Sequence, residues 1–295
     1  MATPLVGHHR PDMSTEAGRA FWKMSGSGND FVFFDARANG GQPDPLETPA
    51  GISALCAPHL GIGADGVVFI ADAADALFAI RYYNADGSRA SLCGNASLCA
   101  AQSAVKIGLA SRDMTFDFMS DAGRIRAAID GDGNASVRLA AVTALEVDAV
   151  EGVAPREQRI GYAVVGVPHL VVLVPDVSAI DVAGRGRILR FGAARAPEGA
   201  NVNFVGPSAA HAGEWRIRTY ERGVEAETYA CGTGSVATAA CLIAWGLAPS
   251  GPPVRLETAS GKILTVRLPE AGGGPWSELS GEGRVVFDGV LRTLR

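Results

Sequence analysis

Glu221-Arg222-Gly223-Val224-Glu225-Ala226-Glu227-Thr228-Tyr229-Ala230-Cys231-Gly232-Thr233-Gly234 sets a charged pair, a cysteine and a glycine turn directly before the run Ser235 to Trp245, which stops at Gly246. Almost every position of that run is small or apolar, so it predicts a helix buried on all sides inside a wrapped sheet. A second stretch repeats the pattern. Tyr83-Asn84-Ala85-Asp86-Gly87-Ser88-Arg89-Ala90-Ser91-Leu92-Cys93-Gly94-Asn95 leads through another Cys-Gly pair into the apolar run Ala96 to Leu109.

Each cysteine stands at a helix start, where unpaired backbone N–H groups and the positive end of the helix dipole favour the thiolate and lower the thiol pKa. The same N–H groups form a site for an anion such as a carboxylate, and the following glycines let it approach the backbone. Two such starts face to face would grip one carboxylate and leave one thiol on each face of the carbon that bears it. A single cysteine is more commonly a small buried hydrophobe; the paired context distinguishes these two.

Working outward, Phe21–Met24 and Phe31–Asp35 read as strands joined by the polar turn Ser25–Asp30, in which Asn29 fits a turn position. Gly61-Ile62-Gly63-Ala64-Asp65-Gly66 matches the dinucleotide fingerprint literally. Its surroundings are inverted, with a helical segment, Ile52–Leu60, before it and the strand Val67–Ile70 after it, so the glycines read as a helix C-cap and turn. Alternating strands are expected at Phe78–Tyr83, Thr115–Met119, Gly123–Ile129 and Ala135–Leu139. Further strands are expected at Ile160–Val165, Leu170–Val174, Asn201–Val205, Trp215–Tyr220, Val254–Glu257, Lys262–Arg267 and Gly283–Phe287. His169, after a proline at a strand junction, reads by default as a turn or surface histidine, with a catalytic partner as the alternative. The pattern points to an α+β fold of two pseudo-symmetric units, each a barrel-like, mostly antiparallel sheet around a central helix.

Composition bounds the partners. The chain has 295 residues, a net charge of -5 and no run of Lys or Arg, which argues against nucleic acid and for a small-molecule substrate. Five cysteines, an odd number without Cys-x-x-Cys spacing, suit a reducing cytoplasm and neither a disulfide framework nor a zinc site. No apolar stretch is long enough for a membrane helix, and residues 1–20 read as a disordered extension.

With both cysteine motifs in view, the chain resembles the diaminopimelate epimerase family from Lys23-Met24 through Val285-Val286-Phe287-Asp288-Gly289. Gly28-Asn29-Asp30-Phe31, Asn84-Ala85-Asp86-Gly87, Cys93-Gly94-Asn95, Pro168-His169, Glu221-Arg222-Gly223 and Ala230-Cys231-Gly232-Thr233-Gly234 occur in the family's order. The resemblance implies a 21–136 unit, to which 283–295 returns, a 137–282 unit, and an active site between them. It implies interconversion of LL- and meso-2,6-diaminoheptanedioate, in lysine and cell-wall precursor biosynthesis, without pyridoxal phosphate, other cofactor or metal, by a homodimer.

In that scheme Cys93 and Cys231 exchange acid and base roles, and His169 and Glu221 support the reacting end. The backbone N–H groups of Gly94, Asn95, Gly232 and Thr233 hold the reacting carboxylate. Asn29, Asn84, Asn201 and Arg222 hold the rest of the substrate, Arg222 suiting the distal carboxylate. The chain departs from the pattern at Ser25, usually His, at Gly66, where a polar residue such as Gln is found, and at Val167, commonly Asn. Ala96-Ser97-Leu98 replaces Gly-x-Arg, and one extra residue lies between Gly223 and Cys231. These departures admit a racemase of another amino acid or a binding protein without turnover; an NAD-dependent oxidoreductase is the remote alternative.

Overall fold

The computed structural model describes residues 18–39, 42–269 and 276–292; most of the extension read over residues 1–20 lies outside the described residues. The first half runs β1 (Arg19–Gly26), β2 (Asn29–Asp35), α1 (Pro49–Cys56), β3 (Gly66–Ala71), β4 (Ala79–Asn84), β5 (Arg89–Ala90), α2 (Gly94–Lys106), β6 (Met114–Ser120), β7 (Gly123–Ile129) and β8 (Ala135–Ala140). After β9 (Ala144–Glu146) the order recurs: β10 (Arg159–Val165), β11 (Val167–Leu173), α3 (Val182–Arg190), β12 (Asn201–Pro207), β13 (Trp215–Glu221), β14 (Ala226–Thr228), α4 (Gly232–Ala244), β15 (Val254–Glu257), β16 (Ile263–Arg267) and β17 (Trp276–Gly281), closed by β18 (Arg284–Leu291).

The pairings repeat as well. β1–β2 is antiparallel, β2–β3 parallel and β3–β4 antiparallel; β5 flanks β4, β4 meets β6 in parallel, and β6–β7–β8 is a meander. β10 to β17 follow the same sequence of directions. β8 pairs antiparallel with β17 and joins the halves, while β18 covers the edge of β1 and β9 the edge of β10.

Each central helix is enclosed by strands: α2 packs on β1, β7, β8, β17 and β18, and α4 on β10, β11, β12, β16 and β17. Small residues make this enclosure feasible. Ala96, Ala100, Ala101 and Ala104 of α2 and Ala237 and Ala239 of α4 lie in one continuous core with Leu98, Leu242, Phe33, Phe118, Leu264 and Leu279. Full burial of a Leu or Phe contributes about 1.5–3 kcal/mol. α1 and α3 cover the outer faces over two smaller apolar clusters.

Three local readings are corrected. The first helix ends at Cys56 and not Leu60, because Pro58 disfavours helical geometry at Ala57; the N–H groups of Ile62 and Gly63 then return to the Leu55 carbonyl. The left-handed positions of the first turn are Ser27 and Gly28, which frees Asn29 to open β2. Only Gly166 makes the turn after β10, so Val167, Pro168 and His169 belong to β11 and His169 is fully buried.

Candidate active site

Cys93 and Cys231 are the N-cap residues of α2 and α4, both in extended backbone and neither making a side-chain cap bond. A Ser, Thr, Asp or Asn at these positions would satisfy the first helical N–H groups; cysteine leaves them open to a ligand. One turn on, Ser97 and Ser235 each donate a hydroxyl to the carbonyl of the cysteine, at 2.9 Å in both helices.

The two helix starts touch. A Cβ built on Gly94 would lie 3.3 Å from the Gly232 Cα, and one on Gly232 would lie 3.2 Å from the Gly94 Cα and 2.9 Å from Leu279 Cδ2. A side chain at either position would press on the opposite start and on Leu279, which would have to give by a few tenths of an ångström, so glycine after each cysteine suits close approach.

Burial reverses the thiol reading made from the sequence. Desolvation pushes the Cys93 thiol up to about 11, with the nearby Glu221 adding to the rise and the N–H groups of Ala96 and Asn95 opposing it. Cys231 is also pushed up, first by burial and then by Glu221, against the Gly234 N–H and the Thr233 hydroxyl. Thr233 Oγ1 lies 3.7 Å from Cys231 Sγ. The helix-end effect contributes up to about 2 kcal/mol, and desolvation exceeds it here.

Around the pair, Asn95 Nδ2 donates to Asn29 Oδ1 at 2.7 Å and to the Ala230 carbonyl at 3.2 Å, tying α2 to the loop just before Cys231. The buried Asn95 Oδ1 has no partner among the described residues. Asn29 in turn donates to Asp65 Oδ2 at 3.0 Å, and the N–H groups of Asp30 and Asp65 each donate to the other's carboxylate, at 3.1 and 2.9 Å. Asn201 Oδ1 accepts the Arg222 N–H at 2.8 Å. Glu221 accepts from the Thr228 hydroxyl at 2.8 Å, and burial raises its pKa. The Arg222 charge acts on His169, whose pKa falls to about 3, chiefly through burial. Asn84 is held within its own turn by Ser88 Oγ at 3.0 Å.

Asn29 and Asn95 are thus brought to the two helix starts, Glu221 acts on both thiols, and Asn201 holds the Arg222 backbone, whereas the Asn84 side chain bonds only within its own turn. Asn203, Thr219 and Asp65 were missed. Asn203 Nδ2 lies 3.0 Å from the Leu170 carbonyl and 3.3 Å from His169 Nδ1, and its Oδ1 accepts the Thr219 hydroxyl at 2.9 Å. The signal was present: Asn201-Val202-Asn203 on a strand puts both amides on one face. Asp65 was hidden in a stretch read only as a turn. Among the described residues no three His, Cys, Asp or Glu side chains converge to hold a metal.

The duplicated sheet-and-helix fold is shared with solved structures of low sequence identity, and that likeness is one of fold. The hydroxyproline epimerase of Agrobacterium vitis superposes with a TM-score of 0.63 at 16% identity, covering 95% of each chain. A phenazine biosynthesis protein of the PhzF family from Bacillus anthracis gives 0.71 at 13% identity, over 92% of this chain and 97% of its own. The family model described as diaminopimelate epimerase matches residues 21–145 and 161–273. The diaminopimelate epimerase of Gemmatimonas aurantiaca is 43% identical over 284 residues, 93% of this chain and all of that protein; the one from Aquifex aeolicus is 38% identical over 262 residues, 85% and 90% of the two chains. The chain belongs to the diaminopimelate epimerase family and is an isomerase. No helix among the described residues is long and apolar enough to cross a membrane.

Proposed function

We propose that this chain interconverts LL- and meso-2,6-diaminoheptanedioate through Cys93 and Cys231, without cofactor or metal. The contact of the two cysteine-led helix starts supports this reading most directly. One sulfur, as thiolate, takes the α-proton and becomes a thiol; the opposite thiol gives its proton to the other face and becomes the thiolate. Charge developing at the α-carbon spreads into the carboxylate, where the N–H groups of Gly94, Asn95, Gly232 and Thr233 stabilise it.

The elevated thiol pKa values are part of this scheme. Glu221 raises both thiols in the free site, and a substrate α-ammonium beside Glu221 offsets that charge, so thiolate forms mainly when substrate is present. Arg222 has no acidic partner among the described residues and suits the distal carboxylate; Asn29, Asn84 and Asn201 complete the grip. A homodimer belongs to the same proposal, supported by Val286, Phe287 and Val290 of β18, which are 44–56% exposed. Sedimentation as a single 30.4 kDa species at micromolar concentration would remove that part. Five free thiols suit a reducing, cytoplasmic setting.

The test is proton NMR of reduced enzyme with LL-diaminoheptanedioate in heavy water. Loss of the α-proton signal with appearance of the meso isomer is the expected result. Folded, reduced protein that exchanges no α-proton would overturn the substrate assignment, and a panel of other amino acids would then identify a racemase.

A further inference from the structure

We propose that Asn203 is a positioning residue that locks His169 as its Nε2–H tautomer, so that the imidazole presents a hydrogen-bond donor and no base at its buried Nε2. The inference rests on the reading above in that it places His169 at the reacting end. Its basis is the count of donors and acceptors around one buried carboxamide.

The orientation of Asn203 follows from its neighbours. The Leu170 carbonyl, 3.0 Å away, can only accept, so the atom facing it is Nδ2. The Thr219 hydroxyl then donates to Oδ1 at 2.9 Å. The second hydrogen on Nδ2 meets His169 Nδ1 at 3.3 Å, and a ring nitrogen opposite an N–H donor must accept. The ring proton is therefore on Nε2, which is buried and has no partner among the described residues. Leaving such a donor unmade is destabilising, and a ligand atom removes that penalty by accepting from it.

The same carboxamide is wedged against the start of α4. A Cβ on Gly234 would lie 2.3 Å from Asn203 Oδ1 and 3.3 Å from the Cys231 Cβ. The last glycine of Cys231-Gly232-Thr233-Gly234 is the residue that lets Asn203 reach both the histidine and the helix turn that carries the thiol. An Nε2–H imidazole stabilises a thiolate or a carboxylate by donating to it. It cannot accept the Cys231 proton, because its one unprotonated nitrogen already accepts from Asn203.

The test is a long-range proton–nitrogen correlation spectrum of enzyme carrying nitrogen-15 histidine, with the His169 signals assigned by their loss in His169→Gln. The expected result for free enzyme at neutral pH is a protonated Nε2 and an unprotonated Nδ1. Asn203→Asp, whose carboxylate accepts from the ring, is expected to move the proton to Nδ1 and lower kcat by about 10²-fold with KM little changed. Asn203→Leu, uncharged and of similar size, is expected to give both tautomers and a smaller loss, about 2–5-fold, set by the fraction of the ring still protonated at Nε2. A wild-type Nδ1–H ring overturns the proposal, as does a wild-type tautomer with wild-type kcat in both variants. The spectrum needs no substrate, so a failure of turnover on diaminoheptanedioate leaves the tautomer result intact.

Discussion

Around Cys93 the strand positions on the inner face are Phe31, Gly66, Val68, Tyr82 and Asn84; around Cys231 the positions at matching registers are His169, Asn201, Asn203, Thr219 and Glu221. The two halves share strand order, helix placement, N-cap cysteine and the serine one turn later. They differ in the side chains that face the site. The first half places a phenylalanine, a valine and a tyrosine at registers where the second places a bonded His–Asn–Thr set. Duplication supplied the symmetric parts, a thiol and open N–H groups for each face of one carbon. The asymmetric parts supply what a substrate with one reacting end requires.

The largest expected effect breaks the shared part. Cys93→Ala and Cys231→Ala are each expected to lower turnover by about 10³-fold or more with the fold retained by circular dichroism; near-normal rate in either would end the two-thiol reading. Next comes Gly234→Ala, which drives a methyl into the Asn203 carboxamide and should cut kcat by about 10²-fold while lowering the unfolding midpoint. An unchanged rate would show that the wedge is not needed.

His169→Phe makes the second half like the first and sharpens the comparison through pH. In the folded protein His169 titrates near 3 and in the unfolded chain near 6.5. Between those values the unfolded state binds the proton that the folded state refuses, so stability is lost as pH falls from 6.5 toward 3. Urea unfolding at pH 6.5 and 4.5 should show the wild type losing about 1.4 kcal/mol per pH unit more than His169→Phe; equal slopes would contradict the buried neutral ring. Cys93 gives the opposite window: its pKa is raised from 9.0 to about 11, so its contribution to stability, present below 9.0, is lost as pH rises through 11. Cys93→Ala should be less alkali-sensitive than wild type.

The smallest effect is expected for Tyr82→Phe. The Tyr82 ring lies over Gly66, with its hydroxyl 3.1 Å from where a Cβ there would be, and that hydroxyl has no partner among the described residues, unlike that of Tyr83 on Glu47. Its removal should lower kcat/KM by roughly 2–10-fold and leave stability unchanged. A full wild-type kcat/KM would make Tyr82 mere packing.

The buried helices and the twofold plan were legible because Cys-Gly before a run of mostly small and apolar residues occurs twice. α3 was not, since Val182–Arg190 carries two glycines and three arginines; its start signal, Asp181 accepting the Gly184 N–H, is one residue long. The thiol environment was also illegible: a helix start is local, whereas desolvation depends on strands such as β8 and β17 that come from distant sequence. His169 was misread as a turn residue because Pro168 signals a break, yet Pro168 pairs with Val164 and stands at the start of β11, where it precedes the parallel contact with β12.

The edge strands carry one more consequence. β18, last in the chain, completes the sheet of the first half, while β9 completes that of the second by standing just ahead of it in sequence. Written in the order β18, β1 to β8 and then β9 to β17, the protein is the same segment in tandem, so the chain is a circular permutation of a direct repeat. Arg19 and Leu291 are register partners, and a short linker between them, with new termini in residues 141–143, would make each half continuous. We expect that permuted chain to fold and turn over, and loss of its native circular dichroism would show that the order of synthesis matters as much as the order of pairing.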